Sequence, residues 1–317
     1  MSRIHEALKR AEEERAASHV APKHEESIER IAPSNAVETA ATPPKVSIPS
    51  ILQPIPVPQA KTEAIPGTLQ FEEIWANCSK PAWKPNPNFL VFNNPSPFYP
   101  GTEQFRTLRS RIYRMKDSQP LRTILVSSAI PAEGKTLVSA NLAHALVRQK
   151  GSRVLLIDAD LRAPRTHMLL GAPATPGLAD YLQNECNEFE VIQRGHEEGF
   201  CFVPAGNHVT HPSELISSDR MKQFLERVKP AFDWIIIDSP PALPVADASV
   251  LGGLCDGVLF VVRAKSTPSE TSQKACKELR DAHILGVVLN SADETAEYNS
   301  YYSNTPYGLH TADDSKK

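Results

Sequence analysis

The sequence predicts an α/β domain built on a doubly wound, mostly parallel sheet with helices on both faces, preceded by a long proline-rich arm. Three observations predict it. From Ile124 to Leu146 an apolar run passes through a tight loop into a helix-period pattern. Beyond it, continuous runs of Val, Ile and Leu alternate with helical patterns, as expected of strands buried on both faces and joined by crossover helices. Two of those runs end in an acid, Asp158 and Asp238, at the strand end where doubly wound sheets bind ligands.

In chain order, Ile4, Leu8 and Ala11 share one face at i, i+4, i+7 among Glu, Lys and Arg, with Ser2 as a cap. Residues 1–17 read either as a short amphipathic helix that forms only on docking or as a frayed charged tail. Residues 18–99 are expected to be a proline-rich, largely disordered linker. Fifteen of the 28 prolines precede residue 101, but only one of the 14 glycines, Gly67, does so, a balance that favours extended polyproline II over flexible coil. Within the linker only Phe71–Trp75 and Phe89–Phe92 are apolar enough to touch a domain surface. The folded domain is expected over 100–292, and a polar tail over 293–317.

The stretch Glu103-Gln-Phe-Arg106-Thr-Leu-Arg109-Ser-Arg111-Ile112 has helical spacing. Phe105, Leu108 and Ile112 would face the core, and Arg106 and Arg109 would share a polar face with Glu103. Next comes Ala129-Ile-Pro-Ala-Glu-Gly134-Lys135-Thr136, which fits GxxxxGK[ST] with Ala in place of the first Gly. Its strand and helix context marks a phosphate-binding P-loop. The backbone N–H groups of Ala132, Glu133, Gly134, Lys135, Thr136 and Leu137 would face phosphate oxygens at the new helix's N-terminus. Lys135 would add positive charge at the β- and γ-phosphates, and the Thr136 hydroxyl would give one ligand to Mg²⁺, so ATP and Mg²⁺ are the expected cofactors.

Apolar runs at Arg153–Ile157, Phe200–Val203, Trp234–Ile237, Val258–Val262 and Gly286–Leu289 read as strands, and Ser217–Val228, Ala248–Leu254 and Ser269–His283 as helices. The run ending Ile157-Asp158-Ala-Asp160-Leu-Arg162 sets two carboxylates and a guanidinium after a strand, and Ile237-Asp238-Ser-Pro-Pro sets one. An acid there is costly unless paired, hydrogen-bonded or metal-linked, and a Mg²⁺ nucleotide would be such a partner. Helix capping or a structural ion pair is the alternative for Asp158 and Asp238. The ten histidines show no metal-ligand spacing, and His144 reads as a packed surface residue.

A net charge of −3 with 22% charged residues gives no general affinity for nucleic acid or anionic membrane. Five cysteines without a Cys-x-x-Cys spacing indicate neither a zinc site nor a disulfide framework. With no apolar signal region and no run of 18 apolar residues, the expected location is cytoplasmic.

Four of the seven tyrosines, Tyr298, Tyr301, Tyr302 and Tyr307, fall beyond the last expected strand among Asn, Ser, Thr, Pro and Gly. Folding gives no reason for such a cluster. Together with the P-loop, Leu-Ile-Asp158-Ala-Asp160-Leu-Arg162, Ile-Ile-Asp238-Ser-Pro-Pro and His211-Pro-Ser-Glu-Leu-Ile-Ser-Ser, it resembles the bacterial tyrosine autokinases of exopolysaccharide and capsule synthesis. The resemblance runs from about 100 to 307. The opening Met1-Ser-Arg-Ile-His-Glu-Ala-Leu-Lys-Arg10 resembles the exosortase-linked branch of that family. The same Walker motifs occur in the MinD/ParA-like positioning ATPases, an alternative assembly switch without protein phosphorylation. Those relatives carry a second loop lysine at the position of Ile130.

The resemblance implies transfer of the ATP γ-phosphoryl group to tyrosine. Lys135, Asp158, Asp160 and Asp238 would be catalytic, and Thr136, Asp158 and Asp238 would lie at the metal. Which of Asp158 and Asp160 takes the tyrosine proton stays open, as does whether Arg162 contacts phosphate or pairs with these acids. Asn290 has two readings, reading the adenine base or capping. The implied phosphoacceptors are Tyr298, Tyr301, Tyr302 and Tyr307. Glu103, Arg106 and Arg109 match the family's assembly motif, implying a ring-like homo-oligomer. Further implied partners are a membrane polysaccharide co-polymerase, which would recruit the chain to the inner face of the membrane, and a tyrosine phosphatase.

Overall fold

The computed structural model describes residues 67–93, 101–279 and 281–292. Residues 1–17, most of the linker and the tyrosine tail lie outside the described residues, as do the readings made of them.

Seven strands, β1 (Thr123–Ser128), β2 (Val154–Asp158), β3 (Gln193–Arg194), β4 (Phe200–Val203), β5 (Trp234–Asp238), β6 (Gly257–Arg263) and β7 (Ile284–Asn290), form one sheet in the order β3-β4-β2-β5-β1-β6-β7. Only the two-residue β3 runs antiparallel to its neighbour. Every residue of β1, β2, β4 and β5 is buried, as the unbroken apolar runs require of strands covered on both faces. Successive side chains enter opposite layers. Ile124, Val126, Leu156, Phe200 and Trp234 join one, and Leu125, Ile157, Cys201, Ile235 and Phe260 the other.

Helix α1 spans Phe71–Asn77, α2 Thr102–Ser118 and α3 Lys135–Val147, while four short helices follow as α4 (Thr166–Leu170), α5 (Leu178–Leu182), α6 (Glu188–Val191) and α7 (Pro212–Ile216). The last three are α8 (Asp219–Val228), α9 (Asp247–Leu254) and α10 (Ser269–Glu278). Residues of α2 and α3 pack on the first layer, and residues of α5, α8, α9 and α10 on the second, so the sheet is doubly wound as expected. Beyond its first turn α3 is buried on every side, which explains its nearly continuous apolar sequence. None of the helices among the described residues is long and apolar enough to cross a membrane.

Three differences from the sequence reading bear on the architecture. The helix expected from Ser217 begins at Asp219, where the Ser218 hydroxyl accepts from the Met221 N–H as an N-cap. The helix expected to run to His283 stops at Glu278, because Leu279 turns fully into the core and the chain must reverse to enter β7. The folded unit also begins upstream of residue 100. Phe71–Trp75 and Phe89–Phe92 do touch the domain, within a longer strap over 67–93 that passes from one sheet face to the other. Leu69, Ile74 and Cys78 are buried in one layer, and Trp83 and Leu90 in the other. Ser79 bridges to Gln193 at the β3 edge, so the strap covers an edge that would otherwise be open to pairing. The buried Asn141 side chain fastens the far end, accepting from the Val91 N–H at 2.8 Å and donating to the Phe89 carbonyl at 2.8 Å.

Trp83 is the anchor of this strap, set edge-on to Phe200 and Phe202 with ring centroids 5.7 and 5.9 Å apart. We expect Trp83→Ala to destabilise the domain by about 3–5 kcal/mol, the usual range for truncating a buried Trp. Urea denaturation checks this, and a loss below about 1 kcal/mol would return the strap to the linker.

Candidate nucleotide and phosphoryl-transfer site

The chain leaves β1 through a loop over residues 129–134 and enters α3 at Lys135. Two of its residues have left-handed backbone, Ala132 at φ 66° and Gly134 at φ 93°. Gly134 is required there. An L side chain is strained at that φ, and a Cβ there would lie 2.0 Å from Asn290 Nδ2, so the amide would have to give up its place against the loop. Glu133 contributes its backbone to the loop while its buried carboxylate points into the protein. Oε2 accepts from the Ile130 N–H at 2.8 Å, and Oε1 accepts from the Thr267 hydroxyl at 2.6 Å and the Arg263 N–H at 3.3 Å. Asn290 Nδ2 donates to the Glu133 carbonyl at 2.9 Å. The loop is thus braced from the ends of β6 and β7, and the N-terminus of α3 opens beyond it.

Asp158 and Asp238 are direct neighbours in the register of β2 and β5, and both are fully buried. Asp158 Oδ1 accepts from the Asp160 N–H at 3.2 Å, and its Oδ2 from the Thr166 N–H at 3.1 Å. The Thr166 hydroxyl donates to Asp238 Oδ2 at 3.1 Å, so this one residue touches both acids. Asp238 Oδ1 is buried without a hydrogen-bond partner. Burial, reinforced by the neighbouring Asp238, pushes the Asp158 carboxyl up to about 8. Burial also raises Asp238, to about 6, against the Lys135 ammonium and the Thr136 and Thr166 hydroxyls, which favour its ionised form. Lys135 Nζ donates to Asp160 Oδ2 at 3.1 Å, joining loop and strand end.

These groups fit a divalent cation. The orphaned Asp238 oxygen and two carboxylates held against their own repulsion are what such an ion would relieve. Among the described residues no three His, Cys, Asp or Glu side chains form a metal cage. Mg²⁺ does not need one, since it takes one or two carboxylates and completes its shell with water and phosphate oxygens.

Lys135, Thr136, Asp158, Asp160 and Asp238 therefore meet at one place, with Ala132, Glu133, Gly134 and Leu137 supplying backbone around it. Arg162 pairs with neither strand-end acid. Its Nε donates to Asp247 Oδ2 at 2.8 Å and its Nη2 to Ser213 Oγ at 2.7 Å, while Ser213 and Asp247 bond each other. Asp247, at the start of α9, and Thr166 were not singled out from sequence. Each stands in an ordinary polar stretch, and only the fold brings it to the site. Asn290 reaches the loop, but both ends of its amide are engaged, Nδ2 with Glu133 and Oδ1 with the Ser291 N–H. His144 is buried rather than at the surface, its Nδ1 3.1 Å from Glu197 Oε1 and its ring against Phe200. On α2, Glu103 and Arg106 form an exposed ion pair. Arg109 leaves that face and donates to the Ala145 carbonyl at 3.0 Å, near the negative C-terminal end of α3.

A sheet of this topology with a phosphate loop at its centre and acids on adjacent strand ends defines a P-loop nucleotide-binding protein. An AAA domain family model matches residues 122–279. The chain is 34% identical over 204 residues to tyrosine-protein kinase YwqD of Bacillus subtilis, covering 63% of this chain and 86% of that one. It is 32% identical over 230 residues to tyrosine-protein kinase etk of Escherichia coli, covering 72% of this chain but only 31% of that longer protein. The solved kinase domain of the Escherichia coli tyrosine kinase ETK superimposes with a TM-score of 0.62 at 32% identity, over 68% of this chain and 84% of that domain. The chain belongs to the bacterial tyrosine-protein kinase family. Ile130 packs half-buried against the core.

The raised carboxyls give a sign to the pH dependence. An acid with a higher pKa folded than unfolded holds its proton more tightly in the folded state, so stability falls as pH rises from about 4 toward 8. We expect the ligand-free protein to melt several degrees lower near pH 8 than near pH 5.5. Asp158→Asn should flatten that slope and raise the melting temperature at pH 8. Equal slopes in wild type and variant, measured by calorimetry, would contradict the coupling.

Proposed function

We propose that this chain is an ATP-dependent protein-tyrosine autokinase whose acceptors are Tyr298, Tyr301, Tyr302 and Tyr307, phosphorylated between subunits, and that it regulates exopolysaccharide synthesis, polymerisation or export. One observation carries the reading. Asn290, the last residue of β7, bonds the backbone of the phosphate loop at Glu133, so the last described residues before the four tyrosines lie beside the nucleotide site. Membership of the tyrosine-kinase family supports the choice of acceptor. The likeness to the succinoglycan biosynthesis transport protein ExoP of Rhizobium meliloti, 36% identical over 207 residues but covering 26% of that protein, supports the polysaccharide setting.

In this mechanism the tyrosine oxygen attacks the γ-phosphorus, the bond to the bridging oxygen of ADP breaks, and the phenolic proton passes to a carboxylate. A tyrosine hydroxyl has a pKa near 10, so the acceptor must be placed and poised to receive that proton. Asp158 and Asp160 are the candidate acceptors. The Asp158 carboxyl, raised to about 8 by burial and the neighbouring Asp238, can serve only when the charges of the bound ligand hold it ionised, and Asp160 is engaged with Lys135. The loop amides and Lys135 neutralise the charge-rich transition state. Mg²⁺ would be held by Thr136 and Asp238 with Asp158 alongside, and when bound it supplies further neutralisation of phosphate charge. Base reading by Asn290 requires its amide to give up the Glu133 carbonyl. A membrane polysaccharide co-polymerase as recruiter to the inner membrane face and a tyrosine phosphatase as antagonist complete the proposal.

Purified protein incubated with ATP and Mg²⁺ should gain phosphotyrosine, and Lys135→Met should lose at least 100-fold of that signal while keeping its fold, on the order of losing a main electrostatic contact in phosphoryl transfer. Replacing the four tail tyrosines by Phe should remove nearly all phosphate yet spare ATP binding. Mass spectrometry that places most phosphate on Tyr99, Tyr113 or Tyr181 would overturn the acceptor assignment.

The exposed Glu103–Arg106 pair supports a head-to-tail ring in which neighbours exchange tails. Each phosphotyrosine adds about −1.5 to −2 charges at the rim, so phosphorylation should loosen the ring. We expect unphosphorylated protein to be oligomeric by light scattering, phosphorylated protein monomeric, and Arg106→Ala with Arg109→Ala monomeric throughout. One mass across all three forms would refute the ring.

A further inference from the structure

Away from the phosphate loop, a groove of about 490 Å³ lies between the C-terminal half of α2 and the start of β7. Arg111 and Arg114 stand three residues apart on one face of α2 and are exposed, and no hydrogen bond or ion pair holds either guanidinium among the described residues. Other basic groups nearby are engaged. Lys116 donates to the Asp233 carbonyl, Arg122 to the Lys229 carbonyl, and Lys229 to Asp256. Met115 and Leu285 give the groove an apolar floor, with Gln119 and the exposed His283 at its rim. Two free guanidiniums over an apolar patch have the chemistry to take an aromatic phosphate monoester. The ring covers the apolar atoms, and the phosphate accepts from the guanidinium forks.

β7 is the edge strand of the sheet and its outer side is unpaired among the described residues, with Val287 and Leu289 61% and 59% exposed. Immediately after it, Ser291 adopts left-handed backbone at φ 54°, the conformation of a chain reversing into a hairpin. A tail that turned back along the free edge would descend β7 one residue for each residue it advanced. With residue 293 opposite Asn290, Tyr298 stands opposite Leu285. Directly paired residues of antiparallel strands project to the same face, and Leu285 packs on the α2 face, where the two arginines wait.

We infer that the groove is a phosphotyrosine site for this chain's own tail, taking phosphorylated Tyr298 onto Arg111 and Arg114. The inference rests on the reading of Tyr298 as an acceptor. It gives the product a destination. Once phosphorylated, the tail is drawn along its own sheet edge and withdrawn from exchange with a neighbour.

The test uses a fluorescent synthetic peptide of residues 293–304 carrying phosphate on Tyr298, added to the full chain with Tyr298, Tyr301, Tyr302 and Tyr307 replaced by Phe. The phosphopeptide should bind at least tenfold more tightly than its unphosphorylated form. Arg111→Gln with Arg114→Gln, both exposed and so compatible with folding, should weaken it at least tenfold with an unchanged circular dichroism spectrum, whereas Arg106→Gln should not. Equal affinity for the two peptides, or undiminished binding by the double variant, would overturn the site. Because the phosphate is synthetic, the two readings fail separately. A chain that binds the phosphopeptide but makes no phosphotyrosine keeps the groove and loses the autokinase, and the reverse result loses only the groove.

Discussion

The register of β2 against β5 sets Asp158 and Asp238 side by side and fully buried, and much of the site can be understood as the accommodation of that pair. Two buried carboxylates repel, and burial disfavours ionisation of both. The protein spends polar groups on them sparingly: one threonine touching both, two backbone N–H groups, and the first residues of α3. One oxygen is left over. Such an arrangement is poorly suited to an empty pocket and well suited to one completed by a cation and phosphate, whose charges turn the repulsion into binding energy. In the ligand-free state the site is a reservoir of unfavourable electrostatics held in place by the surrounding sheet.

The second constraint is the bracing of the phosphate loop from the far end of the sheet. Glu133 would ordinarily be read as a charged loop residue near phosphate, where its charge would oppose the ligand. Its carboxylate instead turns inward to the Ile130, Arg263 and Thr267 donors, so the loop keeps its shape while the charge is withdrawn. Asn290 then ties β7 to the loop, its amide resting against Gly134. This makes the last strand a mechanical neighbour of the nucleotide site. The sheet edge at β7, the free arginines of α2 and the reversal at Ser291 extend the same logic outward, from the site to the path its product would follow.

Arg162 shows how the fold can redirect a residue whose sequence setting suggests one role. It follows Asp158 and Asp160 closely in the chain, yet the turn after β2 carries it to Asp247 and Ser213 on α9 and α7. Its charge is thereby used to tie three separate segments together at the rim of the site. The strap over 67–93 acts similarly on a larger scale, since a stretch with linker composition meets the opposite edge of the sheet at Ser79 and packs Ile74, Trp83 and Leu90 into the layers on its two faces.

The sequence by itself determined the strands, the loop, the helix after it and the acids at the strand ends, because each is a local pattern. Unbroken Val, Ile and Leu runs specify burial on two faces, and GxxxxGK[ST] after such a run specifies a phosphate loop. What the tertiary structure alone decided are contacts between residues far apart in the chain with no local signature: Thr166 across Asp158 and Asp238, Asp247 with Arg162, Glu133 with Thr267, and Asn290 with Glu133. It also decided that Trp83 belongs to the core and Arg109 to the end of α3. Proline content and helical spacing describe how a segment behaves alone, whereas its place depends on which surfaces the sheet leaves uncovered, and that is settled only when the strands are in order.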